Sequence, residues 1–248
     1  MSGASQPRVA LVSGASSGIG RATAIRLASL GFTVVVGYNS SGEAAEEVVR
    51  TLPGGGHMAL RLTIEDTGCV AEAAKQVEAR FGRLDVLVNN GGATQPVPAN
   101  DLDALSDEIF DRITAVNLRG PFAVVRAFRQ LLERGDQAVI VNVSSIAART
   151  GVGSSLAYCA AKGGLDTLTV GLAKVLAPKI RVFSVSPAGV DTDFVPGRTQ
   201  AQLAAMAERM PLRKTTSADD VAAAVLACVT HLTSSTGIIV PVDEGRHL

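Results

Sequence analysis

The chain has 248 residues, enough for one large domain or two small ones, and its 23 basic and 23 acidic residues cancel. Zero formal charge argues against a general attraction to nucleic acid or to an anionic membrane surface. Hydrophobic residues reach 47% while aromatics are only 4%, with no tryptophan, which suits close-packed helices and buried parallel strands and speaks against a surface that stacks sugars or bases.

Cys69, Cys159 and Cys228 are odd in number and far apart, so they point to a reducing compartment rather than a disulfide framework. His57, His231 and His247 are equally scattered, and no spacing of histidine and cysteine resembles a metal site. The opening stretch "MSGASQPRVALVSG" lacks the regions of a signal peptide, and no apolar run approaches the roughly 20 residues that span a bilayer. The expectation is a soluble cytoplasmic protein, with neither nucleic acid nor membrane as partner and no metal.

In chain order, short β-branched runs fall at 8–13, 32–38, 57–62, 85–90, 138–145, 180–186 and 237–242. Helical spacing fills the gaps, as in "RATAIRLASL" (21–30) and "GCVAEAAKQVEARF" (68–81), and "LPGGGH" (52–57) reads as a turn. Continuously apolar strands alternating with helices predict an α/β protein with a single-domain Rossmann fold: a doubly wound, seven-stranded parallel sheet with helices on both faces. No linker, repeat or low-complexity stretch divides residues 1–248.

The first strand is followed by "SGASSGIG" (13–20), which opens the first helix. Gly14 allows a sharp turn, Gly18 a close backbone approach, and Gly20 tight packing of helix on strand. The free N–H groups of Ser16, Ser17, Gly18, Ile19 and Gly20 then suit a pyrophosphate. A glycine loop alone fits a tight turn equally well; its place in a βαβ pattern favours the phosphate cradle.

With this spacing the chain resembles the classical short-chain dehydrogenase/reductase family, in the branch of the 3-oxoacyl-[acyl-carrier-protein] reductases. The family motif is T-G-x-x-x-G-x-G, and Ser13 stands where threonine is usual. The resemblance runs from Arg8 to about Gly245. It implies a cofactor half over 8–92, a catalytic half over 101–186 and a substrate lid over 193–215.

NAD-preferring relatives end the second strand with an acidic residue that bonds the ribose hydroxyls. Here Tyr38 takes that place, followed by Asn39, Ser40 and Ser41. Loss of the carboxylate removes repulsion against a 2′-phosphate, which favours NADP(H), with NAD(H) as the alternative. Thr63 and Ile64 fall where the family contacts adenine. "NNGG" (89–92) matches the family's N-N-A-G, with Asn89 bracing the sheet and Asn90, Gly91 and Gly92 flanking the cofactor's ribose.

"LAYCAAKGG" (156–164) puts Tyr158 and Lys162 four residues apart, on one helical face. In isolation that pair is ordinary; the resemblance makes it catalytic. The family's serine lies thirteen residues before its tyrosine, which gives Ser145, with Ser144 on the other side of the strand. Asn117 in "AVNLRG", within a long fourth helix, completes the quartet. Tyr158 is then the general acid toward a carbonyl oxygen, or the base in the oxidative direction. Lys162 favours the phenolate of a group whose ordinary pKa is about 10, and also bonds the nicotinamide ribose. Ser145 donates to the same carbonyl oxygen. Asn117 holds a water that links Lys162 to solvent. Cys159, about 100° round the helix, is a packing residue.

"SPAGVDTDF" (186–194) aligns with the family's P-G segment: Pro187 is kept, Ala188 replaces glycine, and Gly189 comes one residue later. Val190 and Thr192 are implied contacts of the nicotinamide carboxamide. In the lid, Phe194, Val195, Leu203, Met206 and Met210 suit an apolar pocket or the packing of a short helix. The whole reads as an NAD(P)(H)-dependent oxidoreductase acting on a ketone or secondary alcohol, paired into a homotetramer or homodimer through its fourth and fifth helices. A narrower version is a 3-oxoacyl-[acyl-carrier-protein] reductase, with an acyl carrier protein as partner received by Arg129, Arg134 and Lys179 near the pocket entrance. A competing class is a non-catalytic dinucleotide sensor or scaffold.

Overall fold

The computed structural model describes residues 7–192, 194–197 and 199–248. All seven expected strands form: β1 (Val9–Val12), β2 (Thr33–Tyr38), β3 (Met58–Arg61), β4 (Val86–Asn89), β5 (Ala138–Val143), β6 (Ile180–Pro187) and β7 (Ile238–Val242). Their order is β3-β2-β1-β4-β5-β6-β7 and every pairing is parallel. The chain moves outward from β1 to β3, then restarts at β4 on the other side of β1. That reversal opens a crevice beyond the carboxyl ends of β1 and β4, where such sheets bind ligands.

Successive side chains of a strand point to opposite faces, and the core divides accordingly. Ala10, Val12, Val34, Val36, Val141 and Val185 pack under α1 (Gly18–Ser29), α2 (Gly42–Thr51) and α9 (Ala218–Thr230). Val9, Leu11, Val35, Leu87, Ile140 and Val182 pack under α3 (Thr67–Phe81), α5 (Gly120–Glu133) and α7 (Leu156–Leu176). Both faces of the sheet are therefore apolar, which is why the strands read as unbroken hydrophobic runs.

The expected long fourth helix is interrupted. α4 (Asp107–Thr114) passes through a π-helical turn, Ala115–Arg119, into α5. Pro121 has no N–H to give the carbonyl of Asn117, its α-helical partner, and the wider turn accommodates that loss. The remaining helices are the short α6 (Ala147–Thr150) and α8 (Gln200–Ala207). Among the described residues no helix is long and apolar enough to cross a membrane.

Candidate active site

A cleft of about 800 Å³ lies at the carboxyl ends of the central strands. It is lined by the loop after β1, the end of β2, the turn after β4, the segment after β5, the start of α7 and the segment after β6.

Of the glycine-loop residues, Gly14, Ser16, Ser17, Gly18 and Ile19 line this cleft. Gly14 and Gly18 have φ of 62° and 51°, a left-handed backbone that favours glycine. Gly20 is buried under the loop rather than lining it; a Cβ there would lie 2.3 Å from the Gly14 carbonyl oxygen. Ser13 ties this loop to the turn after β4. Its Oγ accepts the N–H groups of Asn90 and Gly91 at 3.0 and 2.9 Å. The Asn90 amide in return donates to the carbonyls of Ser13 and Gly14, both at 3.0 Å. These bonds lock the loop after β1 to the turn after β4, and Asn90, Gly91 and Gly92 line the cleft between them. Asn89 ties β4 to β5: its Nδ2 donates to Asn142 Oδ1 at 2.9 Å, and Asn142 donates to Thr169 on α7 at 2.8 Å.

At the end of β2, Asn39, Ser40 and Ser41 line the cleft, but Tyr38 does not. Its ring packs against Gly42 at the start of α2, because the strand's alternation turns it toward that helix. Thr63 and Ile64 also lie outside the lining. Thr63 instead donates to Asn39 Oδ1 at 2.7 Å and fixes that side chain. Ile64 is 6% exposed and packs in the second core, against Gly91 and Gly120. Contacts from these three side chains to a bound nucleotide are therefore not supported by the lining of the cleft.

α7 starts on Ser155, whose hydroxyl accepts the N–H of Tyr158. That cap sets Tyr158 in the first turn, half-buried, and Lys162 one turn deeper at 4% exposure. The Lys162 ammonium lies 5.6 Å from the centroid of the Tyr158 ring. Burial pushes the Lys162 amine down to about 8, against the pull of Asp166. Ser145, just past the end of β5, also lines the cleft; its Oγ accepts the N–H of Ala147 at 3.2 Å. Ser144 lines the cleft beside it, with its buried hydroxyl donating to the carbonyl of Lys162 at 3.3 Å.

Asn117 does not line the cleft; it sits behind it, fully buried in the π-helical turn. Its Nδ2 donates to the carbonyls of Ala93 and Ile113 at 2.7 and 2.9 Å. Among the described residues its buried Oδ1 finds no hydrogen-bond donor; it lies 2.9 Å from where a Cβ on Gly92 would be.

Asp166 escaped the sequence reading. It lies one turn beyond Lys162, accepts the Ser184 hydroxyl at 2.7 Å, and is held above the usual carboxylate range by burial, with Ser184, Ser144, Lys162 and Arg149 opposing. The four-residue spacing from Lys162 was the available signal.

On the far wall Pro187, Ala188, Gly189, Val190 and Thr192 all line the cleft. Ala188 needs no glycine backbone: it is not among the residues of positive φ, and its N–H donates to the carbonyl of Val242 at 3.1 Å. Of the expected lid residues, Phe194, Val195 and Met206 reach the cleft, and the Phe194 ring stands 6.1 Å from that of Tyr158. Leu203 and Met210 do not; they close a separate small cavity beside Thr216 and Glu244. Positions 193 and 198 of the lid lie outside the described residues. Cys159 packs, at 7% exposure, close to Gly153.

The basic trio is misplaced by the sequence reading. Arg129 and Arg134 lie at the C-terminal end of α5, and Lys179 directly precedes β6. All three sit at the amino ends of strands whose carboxyl ends hold the cleft, about 17 Å away along β5. Arg129 and Arg134 are moreover paired with Glu133 and Glu78. They do not flank the pocket entrance.

A dinucleotide fits these residues. The cleft joins a helix N-terminus, two left-handed glycines and a polar end of β2 to a tyrosine–lysine pair. Among the described residues no group of histidine, cysteine, aspartate and glutamate is arranged to hold a metal.

Fold and cleft together define a Rossmann-type α/β protein with its site at the switch point of the sheet. A family profile described as enoyl-(acyl carrier protein) reductase matches residues 14–247. The chain is 37% identical over 97% of its length to the candidate ketoacyl reductase 2 of granaticin polyketide synthase from Streptomyces violaceoruber, covering 96% of that protein. It is 38% identical over 96% of its length to cis-4-hydroxycyclohexanecarboxylate dehydrogenase from Sinomonas cyclohexanicum, covering 96% of it. A crystal structure of a dehydrogenase/reductase from Sinorhizobium meliloti superposes with a TM-score of 0.88 at 32% identity, covering 97% of this chain and 95% of that one. The chain belongs to the short-chain dehydrogenase/reductase family. It is an oxidoreductase of that family, whose members use NAD(H) or NADP(H).

Proposed function

We propose that the protein is an NADP(H)-dependent oxidoreductase interconverting a ketone and a secondary alcohol, with Tyr158 as the acid and base. The observation that carries this is the meeting of Tyr158, Lys162 and Ser145 with the glycine loop in one cleft. The bound nicotinamide would supply the hydride to the carbonyl carbon or accept it from the alcohol. Gly14, Ser16, Ser17, Gly18 and Ile19 would hold its pyrophosphate, Asn90, Gly91 and Gly92 its ribose, and Pro187 to Val190 with Thr192 the carboxamide end.

As negative charge develops on the substrate oxygen, Tyr158 donates its proton there and Ser145 donates a hydrogen bond. The Lys162 ammonium stabilises the charge left on the phenol oxygen. Asn117 Oδ1 holds a water from which that proton is replaced. The preference for NADP(H) rests on Asn39, Ser40 and Ser41 at the end of β2, where no carboxylate lines the cleft; its lining carboxylate among the described residues is Asp191, on the β6 side.

Candidate substrates are β-ketoacyl thioesters and cyclic ketones, after the relatives' names. The exposed Phe110, Phe122 and Val175, at 41%, 41% and 74%, support pairing of subunits through α4, α5 and α7. Free Cys69, Cys159 and Cys228 support a reducing, cytoplasmic setting.

The test is NADPH oxidation with a panel of ketones, beside the Tyr158→Phe variant. The native protein should turn over at least one ketone. The variant should keep cofactor affinity and lose at least a hundredfold in kcat. A variant as active as the native protein would refute the role of Tyr158.

A further inference from the structure

Three charged side chains line the cleft among the described residues: Lys162, Asp191 and Arg246. Two are committed. Lys162 donates to the carbonyl of Val143 at 2.7 Å, and Asp191 accepts the side-chain amide of Gln200 at 2.8 Å. Arg246 is half-buried, yet among the described residues its guanidinium has no hydrogen bond, ion pair or ring contact.

The turn that presents it is built, not loose. Asp243, 4% exposed, accepts the N–H groups of Gly245 and His247 at 3.2 and 2.8 Å, and its carbonyl accepts that of Arg246 at 2.9 Å. Glu244 and Gly245 adopt left-handed φ of 57° and 84°. The Glu244 carboxylate accepts the Thr216 hydroxyl at 3.3 Å and faces Lys214 at 3.6 Å, and its carbonyl accepts the N–H of Leu212. A held turn that aims an unpaired cation into a cleft is the arrangement of an anion receptor.

Its place in the sheet says which anion. Arg246 follows β7, next to β6 and therefore on the side of Pro187 to Thr192. β2, whose end would meet the adenosine, lies five strands away, about 24 Å. A 2′-phosphate at β2 is out of its reach. The same region of the cleft carries the apolar wall of Phe194, Val195 and Met206.

We infer that Arg246 is a specificity-determining residue that binds a carboxylate carried by the substrate, at the end of an apolar body remote from the reacting oxygen. This rests on the oxidoreductase reading above and narrows its substrate class to keto acids and hydroxy acids. Guanidinium and carboxylate match as two parallel hydrogen bonds, so lysine in its place should serve less well.

The test compares 4-oxocyclohexanecarboxylate with its uncharged primary amide as substrates of the native enzyme, with NADPH and NADH. The acid should show kcat/KM at least tenfold above the amide, through KM. In Arg246→Gln that ratio should fall to about one, and in Arg246→Lys to an intermediate value. Equal kcat/KM for the two compounds in the native enzyme, or an unchanged ratio in Arg246→Gln, would overturn the inference. Calorimetric binding of cyclohexanecarboxylate to the cofactor-loaded protein separates the two readings. Should neither ketone be reduced, binding lost at least tenfold in Arg246→Gln upholds the receptor while the redox reading falls. No binding to the native protein would sink the receptor.

Discussion

Lys162 reaches under Tyr158 to donate its ammonium to the carbonyl of Val143 at 2.7 Å, where β5 ends. The lysine is nearly sealed from water, and burial brings its pKa from 10.5 to about 8. Below pH 8 both folded and unfolded chains carry the proton, and the fold bears the full cost of a buried cation. Between pH 8 and 10.5 the unfolded chain binds more protons than the folded one, so stability rises with pH and that cost is relieved. The shift corresponds to about 3 kcal/mol.

Lys162→Met keeps the side-chain bulk and removes the ion, but leaves the Val143 carbonyl without this donor, at about 1 kcal/mol. At pH 7 the variant should be more stable by about 1–2 kcal/mol, a rise in Tm of roughly 2–6 °C, while kcat falls at least a hundredfold. The stability difference should shrink as pH rises from 8 to 10.5. Thermal melts across that range check it; a variant less stable at pH 7 would show that the lysine stabilises the fold.

Asp166 is the counter-charge that keeps this cation from being lost altogether. Its carboxylate raises the Lys162 pKa against burial, while the Ser184 hydroxyl holds it in place. Asp166→Asn removes the charge and retains hydrogen-bonding capacity at nearly the same volume. The Lys162 titration midpoint should fall below its native value of about 8, read by NMR of isotope-labelled lysine. An unmoved midpoint would mean that the carboxylate is protonated at neutral pH.

The architecture was legible in the sequence because a parallel sheet covered on both faces leaves an unmistakable trace, seven apolar runs separated by helical spacing. The glycine loop, Tyr158, Lys162 and Ser145 were legible too, through the resemblance to a family whose motifs they match, and all of these candidates but Gly20 line the cleft. What stayed hidden depends on long-range placement. Tyr38 stands at the expected place along β2, yet the pleat turns it onto Gly42. Arg134 and Lys179 are basic and exposed, but only the direction of β5 and β6 shows that they lie at the wrong end. Arg246 comes to the cleft through a turn held by Asp243, which no motif announces. The π-helical turn has a local sign, Pro121 four residues after Asn117.

Gly20 tests how tightly the loop is built. An added Cβ would meet the Gly14 carbonyl at 2.3 Å and the Asn90 amide at 2.6 Å, and both are fixed by the bonds that join β1 to β4. Alanine favours a helix over glycine by about 1 kcal/mol, too little to offset a displaced loop. Gly20→Ala should weaken cofactor binding at least tenfold in a fluorescence titration and lower the melting temperature. Unchanged affinity would show that the loop moves freely and is not the cradle proposed.

Cofactor choice turns on Asn39. Its Oδ1 accepts the Thr63 hydroxyl at 2.7 Å, and an aspartate in its place retains that acceptor, so Asn39→Asp should fold undisturbed. The second oxygen would then put negative charge at the end of β2, where a 2′-phosphate is expected. Repulsion at close range in a partly desolvated cleft is worth several kcal/mol before screening. NADPH affinity should fall at least tenfold, while NADH, whose ribose hydroxyls donate to a carboxylate, should bind as well or better. Parallel titrations of both nucleotides against native and variant protein decide it. If the native protein already prefers NADH tenfold, the polar run from Asn39 to Ser41 is not a phosphate site, and the substitution should then leave NADPH binding where it was.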